Sequence, residues 1–379
     1  MGKFFPILFL VIFGKALFSQ TENLKVADSL YNTGNYAKAI PYYARIETPN
    51  AMVQLARTYH AMGNLEKAIH FFEKGIKRNG NLIIAQFELG KLYLHANRNL
   101  EALELFQKLC SKQPNNPEFL YLMGQSLEEL DRSHEAIAAF KRGFEMDGTH
   151  LRSIQQLAKY YVTKRNLDSV LFYVDKGLSL NKQSAPLISL KAQAYYNARM
   201  FSRALPLFEE LIKLGEEKPF VHQRLGTIYT VMTDHKKARD AYKRLLELDP
   251  MNPETMYHLG NAYYGLQELD SATAFINLSI SLQQVAMDRE YNSLARIAVE
   301  KGDLEKAIAN YREAFRENPE GHLYKYEICF LTDQYYKDPK MKLDCYRSYD
   351  KTFGYKKDYF SEFAQRRILE LTEEQHFTN

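Results

Sequence analysis

The residues whose types could do chemistry recur along the chain rather than cluster. Polar side chains stand at Asp28, Arg57, Lys91, Gln125, Lys159, Gln193, Thr227, Asn261 and Arg296, each directly after a Gly or Ala. From Arg57 to Asn261 the interval is 34 residues every time. Amides, bases and hydroxyls in such a ladder suit the backbone and carboxylates of an extended peptide. Four residues before them come Phe87, Tyr121 and Tyr257, and three after come His60, Tyr196 and Tyr264. These rings suit anchor roles. A solvated face is polar for no functional reason as well, so that plainer reading stands beside the first.

No other chemistry is written in motifs. There is no phosphate loop of the Gly-x-x-x-x-Gly-Lys-Ser/Thr type, no His-Glu-x-x-His, no Gly-x-Ser-x-Gly and no Cys-x-x-Cys. His134-Glu135 and His258 fall at ordinary repeat places. The expectation is a protein that is not an enzyme and holds no cofactor and no metal. Asn277-Leu278-Ser279 fits a glycosylation acceptor, a triplet common by chance. Net charge is +4, or +2 without Lys3 and Lys15, and no basic stripe is present, which argues against nucleic acid.

The elements that must position the ladder follow from composition and pattern. The 379 residues are 46% hydrophobic and 25% charged, near globular averages, so a disordered, collagen-like or rod-like chain is excluded. With 18 Gly and 12 Pro, tight turns are too few for an all-β chain. The 27 Tyr and 23 Phe, with no Trp, are unusual. At the front, a basic Met1-Gly2-Lys3, the apolar run Phe4–Phe13 and a small residue near Ser19–Gln20 make up a secretory leader. Residues 1–19 are expected to be removed on export, leaving no membrane span. The alternatives are a buried first helix and a retained N-terminal anchor.

The ladder belongs to a longer period. A small residue precedes a Tyr by three at Ala56, Gly90, Ala158, Ala192, Gly226 and Gly260, and Gly124 precedes Leu127. Twelve further on come Ala68, Ala102, Ala136, Val170, Ala204, Ala238 and Ala272, then Phe72, Phe106, Phe140, Val174, Phe208, Tyr242 and Ile276. Within a unit the apolar places recur at three and four, as on one helix face. Breakers such as Gly34-Asn35, Gly63-Asn64, Asn97-Arg98 and Gly302-Asp303 split each unit into a helix hairpin. The small residues let the two backbones cross closely. The bulky residue is expected to reach into the neighbouring hairpin, so stacking buries what one hairpin cannot.

These units resemble tetratricopeptide repeats, with Gly226-Thr227-Ile228-Tyr229, Ala238, Tyr242 and Asp249-Pro250 the cleanest example. The resemblance, to the exported bacterial type, covers residues 20–321. It implies an all-α, right-handed superhelical solenoid of nine units starting near 20, 49, 83, 117, 151, 185, 219, 253 and 288. The departure is at the fourth place, where the family favours Trp and this chain has Met52, Gln86, Leu120, Ile154, Ile188, His222, Met256 and Tyr291. Lys191 and Val170 mark looser middle units. The resemblance also implies that the first helices line a concave groove. The candidate partner contacts there are Arg57, Lys91, Gln125, Lys159, Gln193, Asn261 and Arg296, with Tyr121, Tyr196, Tyr257 and Tyr264. The family's carboxylate clamp is not intact, because Gln125 and Glu128 follow Arg57 and Lys91.

Residues 322–354 read as a degenerate tenth hairpin, broken at Lys337-Asp338-Pro339, and residues 355–379 as a capping helix and tail. The alternative for that helix is docking on a partner or a membrane surface. If the tenth hairpin aligns, Cys329 and Cys345 face one another, and export permits a disulfide. The alternative is two buried free thiols. Cys110 sits at an apolar place and reads as core. The period leaves one continuous core without an internal domain boundary. The resemblance implies a scaffold outside the cytoplasm that binds protein or peptide segments. Rival readings are an assembly or chaperone factor of an envelope machine, a self-stacking element and a glycan-binding module.

Overall fold

The computed structural model describes residues 21–282 and 287–378. The leader lies outside the described residues. Among those described the chain is helical, with no strand. It divides between Ala194 and Tyr195 into two compact units. Nothing in the 34-residue period marks this division. It falls inside a helix, so no linker composition marks it; hairpins that touch only their neighbours need none.

Unit 1 holds α1 (residues 21–32), α2 (Tyr36–Ala44), α3 (Pro49–Ala61), α4 (Leu65–Arg78), α5 (Ile83–His95), α6 (Asn99–Lys112), α7 (Pro117–Glu128), α8 (Ser133–Met146), α9 (Leu151–Thr163), α10 (Leu167–Leu180) and most of α11 (Ala185–Asn197). Unit 2 takes the end of α11, then α12 (Phe201–Lys213), α13 (Pro219–Val231), α14 (His235–Leu248), α15 (Pro253–Gly265), α16 (Leu269–Leu282), α17 (Asp288–Glu300), α18 (Leu304–Glu317), α19 (His322–Tyr335), α20 (Pro339–Phe353) and α21 (Tyr359–Thr378). The first helices begin where the sequence pattern starts its units.

Local chemistry sets those bounds. Pro stands in the first turn of α3, α7, α13, α15 and α20, where its missing N–H leaves nothing unpaired. Asn116 and Asn252 accept backbone N–H bonds from Glu118 and Thr255 at 3.0 and 2.9 Å. Asn64, Asn166, Asp234 and Asp303 cap the second helices in the same way. Between the helices one residue takes a left-handed backbone: Gly34, Gly63 and Gly302, but also Asn97, Asp131, Arg165, Arg199, Thr233 and Gln267.

The packing corrects one expectation. A Cβ on Gly90 would stand 2.6 Å from Phe106, and one on Gly226 would stand 2.5 Å from Tyr242. The bulky residue therefore closes on the small residue of its own hairpin, because helix crossing leaves that gap beneath the ring. The neighbouring hairpin approaches elsewhere, at Gly143 below Ser153 and at Gly177 below Leu187. The tyrosines do two jobs. Tyr59, Tyr161 and Tyr263 stack on Phe71, Tyr173 and Phe275 at 5.4, 5.7 and 5.5 Å. Tyr93 and Tyr229 donate their hydroxyls to Glu73 and Glu209 of the preceding unit at 2.7 Å. Met52, Gln86, Leu120, Ile154, Ile188, His222 and Met256, at the place the family gives to Trp, are all buried. Val170 is buried too, and half-buried Lys191 pairs with Asp175 at 2.6 Å.

At the C-terminal end, Tyr326, Leu343, Tyr346, Tyr349 and Phe353 form a cluster on which Phe360, Phe363, Ala364, Ile368 and Leu371 of α21 pack. Asp333 of α19 is held by Arg367 of α21 at 2.7 Å and by Lys342 of α20 at 3.1 Å. Burial works to raise the Asp333 carboxyl, but these two cations prevail and hold it below the usual range.

Candidate functional site

The ladder residues project from the first helices, and the structure gives them unequal freedom. In unit 1, Arg57 is half-buried and its guanidinium grips Glu88 with two bonds of 2.8 Å, Nε to Oε2 and Nη2 to Oε1. One repeat on, Lys91 is exposed, with its ammonium 4.9 Å above the Phe87 ring. Gln125 is half-buried and Lys159 exposed. Burial raises the nearby Glu128 carboxyl while Lys159 opposes that rise. Gln193 donates to Ser189 Oγ at 3.0 Å.

The predicted aromatic anchors are engaged. Tyr121 is only 9% exposed and lies under the Arg152 guanidinium at 5.6 Å, while Arg152 also pairs with Glu118. In unit 2 the same triad recurs: Arg289 lies 5.1 Å over Tyr257 and pairs with Glu254 at 2.9 Å. Tyr196 carries Arg224 at 4.4 Å. Tyr264 carries Arg296 at 5.1 Å and donates to Glu300 at 3.4 Å. Asn261 donates to the Tyr257 carbonyl at 3.0 Å and accepts from Ser293 at 3.1 Å. Much of the expected contact set thus ties one unit to the next through cation–π and ion pairs. The sequence reading missed Glu88, Arg152, Arg224 and Arg289. Glu118 and Arg152, opposite charges 34 residues apart at one repeat place, were the available signal.

Two clefts open at the front of unit 1. A cleft of about 630 Å³ is lined by Tyr31, Arg57, His60, Ala61, Phe72, Glu88, Lys91, Leu92 and His95. Beyond Arg57 a second one, about 470 Å³, is lined by residues including Asn50, Gln54, Asn81 and Ile84. The structure brings Arg57 and Lys91 into one cleft, and brings Arg296 onto Tyr264. Gln125, Lys159 and Gln193 line neither cleft.

Cys329 and Cys345 are joined, Cα to Cα 5.3 Å, between the paired helices α19 and α20. Cys110 packs half-buried against the core of unit 1, and burial pushes its thiol up. Among the described residues no group of three or more His, Cys, Asp or Glu could hold a metal ion. No described helix is long and apolar enough to cross a membrane.

Comparison with known proteins agrees with the hairpin geometry. Profiles of the tetratricopeptide repeat match residues 49–82, 84–116, 105–138, 226–267, 253–285 and 291–320. The human mitochondrial import receptor subunit TOM70 is 25% identical over 291 residues, which cover 72% of this chain and 42% of TOM70. The TPR repeat-containing protein YpiA of Bacillus subtilis is 22% identical over 219 residues, 55% of this chain and 51% of YpiA. The human protein O-mannosyl-transferase TMTC1 is 24% identical over 204 residues, 53% of this chain and 23% of TMTC1. The chain thus spans 23 to 51% of the length of these relatives. Among solved structures, yeast Tom70 aligns over 96% of both chains at 12% identity with a TM-score of 0.39. With its repeating helix hairpins, its small residues under bulky rings and these profile matches, the chain is a tetratricopeptide repeat protein.

Proposed function

We propose that the chain is a non-enzymatic protein-interaction scaffold outside the cytoplasm, receiving extended partner segments on the face of its first helices. The observation that carries this reading is the front cleft of unit 1. There, exposed Lys91 and half-buried Arg57 of the ladder stand beside open space, while the apolar places of the same helices are filled. The import-receptor relative supports the protein-binding part, at the level of analogy between folds. The leader-like start supports export, and so does the Cys329–Cys345 bond, because disulfides persist in oxidising compartments.

The test places a photo-crosslinking residue at Lys91, at Gln125 or at Lys159, and at outer positions such as Lys74 and Arg142. Crosslinks from the native envelope should arise from the first three. Capture from the outer positions alone would sink the groove reading. Fractionation and N-terminal sequencing check the export reading, which expects a mature chain beginning near Gln20 outside the cytoplasm.

A further inference from the structure

Where α20 ends, the chain turns over Gly354–Lys356 and enters α21 at Tyr359. The two most exposed aromatic side chains among the described residues lie on this turn, Tyr355 at 70% and Tyr359 at 68%. The turn is pinned on both sides. Phe353 before it is buried in the cluster with Tyr349, and Ser361 after it is buried against Asp358. Lys357 closes it with a left-handed backbone at φ 49°. From Lys351 to Lys357 the sequence holds three lysines and no acid, and all three lysines are exposed. The Lys356 ammonium lies 5.6 Å from the centre of the Tyr355 ring. The flanking acids are already engaged. Asp350 accepts from Gln365 Nε2 at 2.8 Å, and Asp358 accepts from the Ser361 N–H at 2.9 Å as α21 begins. Further back on α20, exposed Arg347 and Asp344 offset one another in charge. Among the described residues no carboxylate forms an ion pair with Lys351, Lys356 or Lys357.

We propose that this turn docks the chain on an anionic lipid bilayer, with the tyrosine rings at headgroup level and the lysines on lipid phosphates. A tyrosine has an apolar body and a polar tip, so it gains where one end is dry and the other wet. Lysine stems lie along apolar surface while their ammonium groups stay with the phosphates. An anionic surface draws in each such lysine strongly enough for about fivefold in affinity. A protein partner fits less well, because lysine is depleted from the cores of protein interfaces. The contact is confined to the turn. Along α21, exposed Glu362 and Glu373 outnumber exposed Arg366, so an anionic surface does not attract the rest of that helix. No ladder residue takes part, so the inference does not depend on the groove reading above.

The test uses the chain from Gln20 onward, so that the apolar run Phe4–Phe13 does not bind lipid by itself. It is sedimented with phosphatidylcholine vesicles containing about 30% phosphatidylglycerol and, in parallel, with pure phosphatidylcholine vesicles. The anionic vesicles should bind roughly a hundredfold more tightly, the combined worth of three lysines, and added salt should shrink that preference. Lys351→Gln, Lys356→Gln and Lys357→Gln together should erase it. Lys236→Gln, Lys237→Gln and Lys243→Gln remove the same charge from exposed places on α14 and should leave it in place. Tyr355→Ser with Tyr359→Ser should weaken binding to both vesicles about tenfold. Because the chain has no Trp, Tyr355→Trp supplies a single emission signal. It should shift to the blue on the anionic vesicles, while Phe172→Trp, exposed in unit 1, should not. Equal loss from the two triple changes would point to overall charge and overturns the proposal. So does the absence of an anionic preference, or an unshifted Tyr355→Trp emission in a chain that binds. Binding abolished by glycerol phosphate at matched ionic strength overturns it too, because the site would then be one for a small anion. The crosslinking positions of the groove test lie in unit 1, so the two failures are told apart.

Discussion

At Gly124 the ring of Phe140 fills the space where a Cβ would stand. Phe140 is fully buried, so it cannot swing out to make room. Gly124→Ala should therefore cost about 1–3 kcal/mol, the usual cost of overpacking a filled core. Gly148→Ala is the control: its Cβ would meet only Lys176 Cε, at 3.9 Å, and stability should stay within about 0.5 kcal/mol. Urea melts of the two variants check both. His222 makes a second residue-scale case. It is 6% exposed and occupies the place given to Met52 and Met256 in other units. Burial holds its imidazole below the ordinary value, with Glu217 pulling the other way. The unfolded chain then binds the proton more readily than the folded one. The stability tied to His222 is full above about pH 6.5 and is lost as the pH falls below it. His222→Met should flatten that acid-side loss in thermal melts, and an unchanged slope would refute the assignment.

At the scale of the element, the turn between the two helices of a hairpin requires one left-handed residue. Gly63 and Gly302 supply it without steric cost, at φ +77° and +75°. Thr233 supplies it at φ 59°, although a β-branched side chain crowds the backbone there. Thr233 is exposed, and its hydroxyl bonds to the adjacent Met232 carbonyl. Thr233→Gly should thus gain roughly 1 kcal/mol, and a lowered melting temperature would contradict the argument. The same turn shows what could be read in advance. Breakers at Gly63-Asn64 and Gly302-Asp303 were legible because Gly and Asn advertise the conformation. Arg165, Arg199 and Thr233 adopt it without any such sign, since the flanking helices impose it. Only the period could place those turns. The period also located the first helices. It did not show which helix the bulky residue faces, because small residues at Gly90 and at Gly143 look alike in sequence and differ only in what lies opposite.

At the scale of the whole molecule, stability in a stack of hairpins is a sum of local terms and nearest-neighbour interfaces. Period and composition made the architecture readable, but not the division at Ala194 and Tyr195, nor the ion and cation–π pairs that engage expected contact residues such as Arg57 and Tyr257. Those depend on which charges meet across a 34-residue step, as Glu118 and Arg152 do. The same locality governs the disulfide. Cys329 and Cys345 enclose a loop with a sequence separation of 16, and closing a loop of that size removes about 3 kcal/mol of unfolded-chain freedom. The bond ties α19 to α20, and α21 reaches both through Asp333, Arg367 and Lys342. Reduction should therefore raise hydrogen exchange in α19, α20 and α21, fade through α18 and leave α3 to α9 of unit 1 unchanged. Cys345→Ser under oxidising conditions should reproduce the pattern. Asp333→Asn should add to it in the reduced chain, since it removes the shared carboxylate that remains. A uniform loss of protection along the chain would show instead that the hairpins unfold as one cooperative body, and the nearest-neighbour account would have to be abandoned.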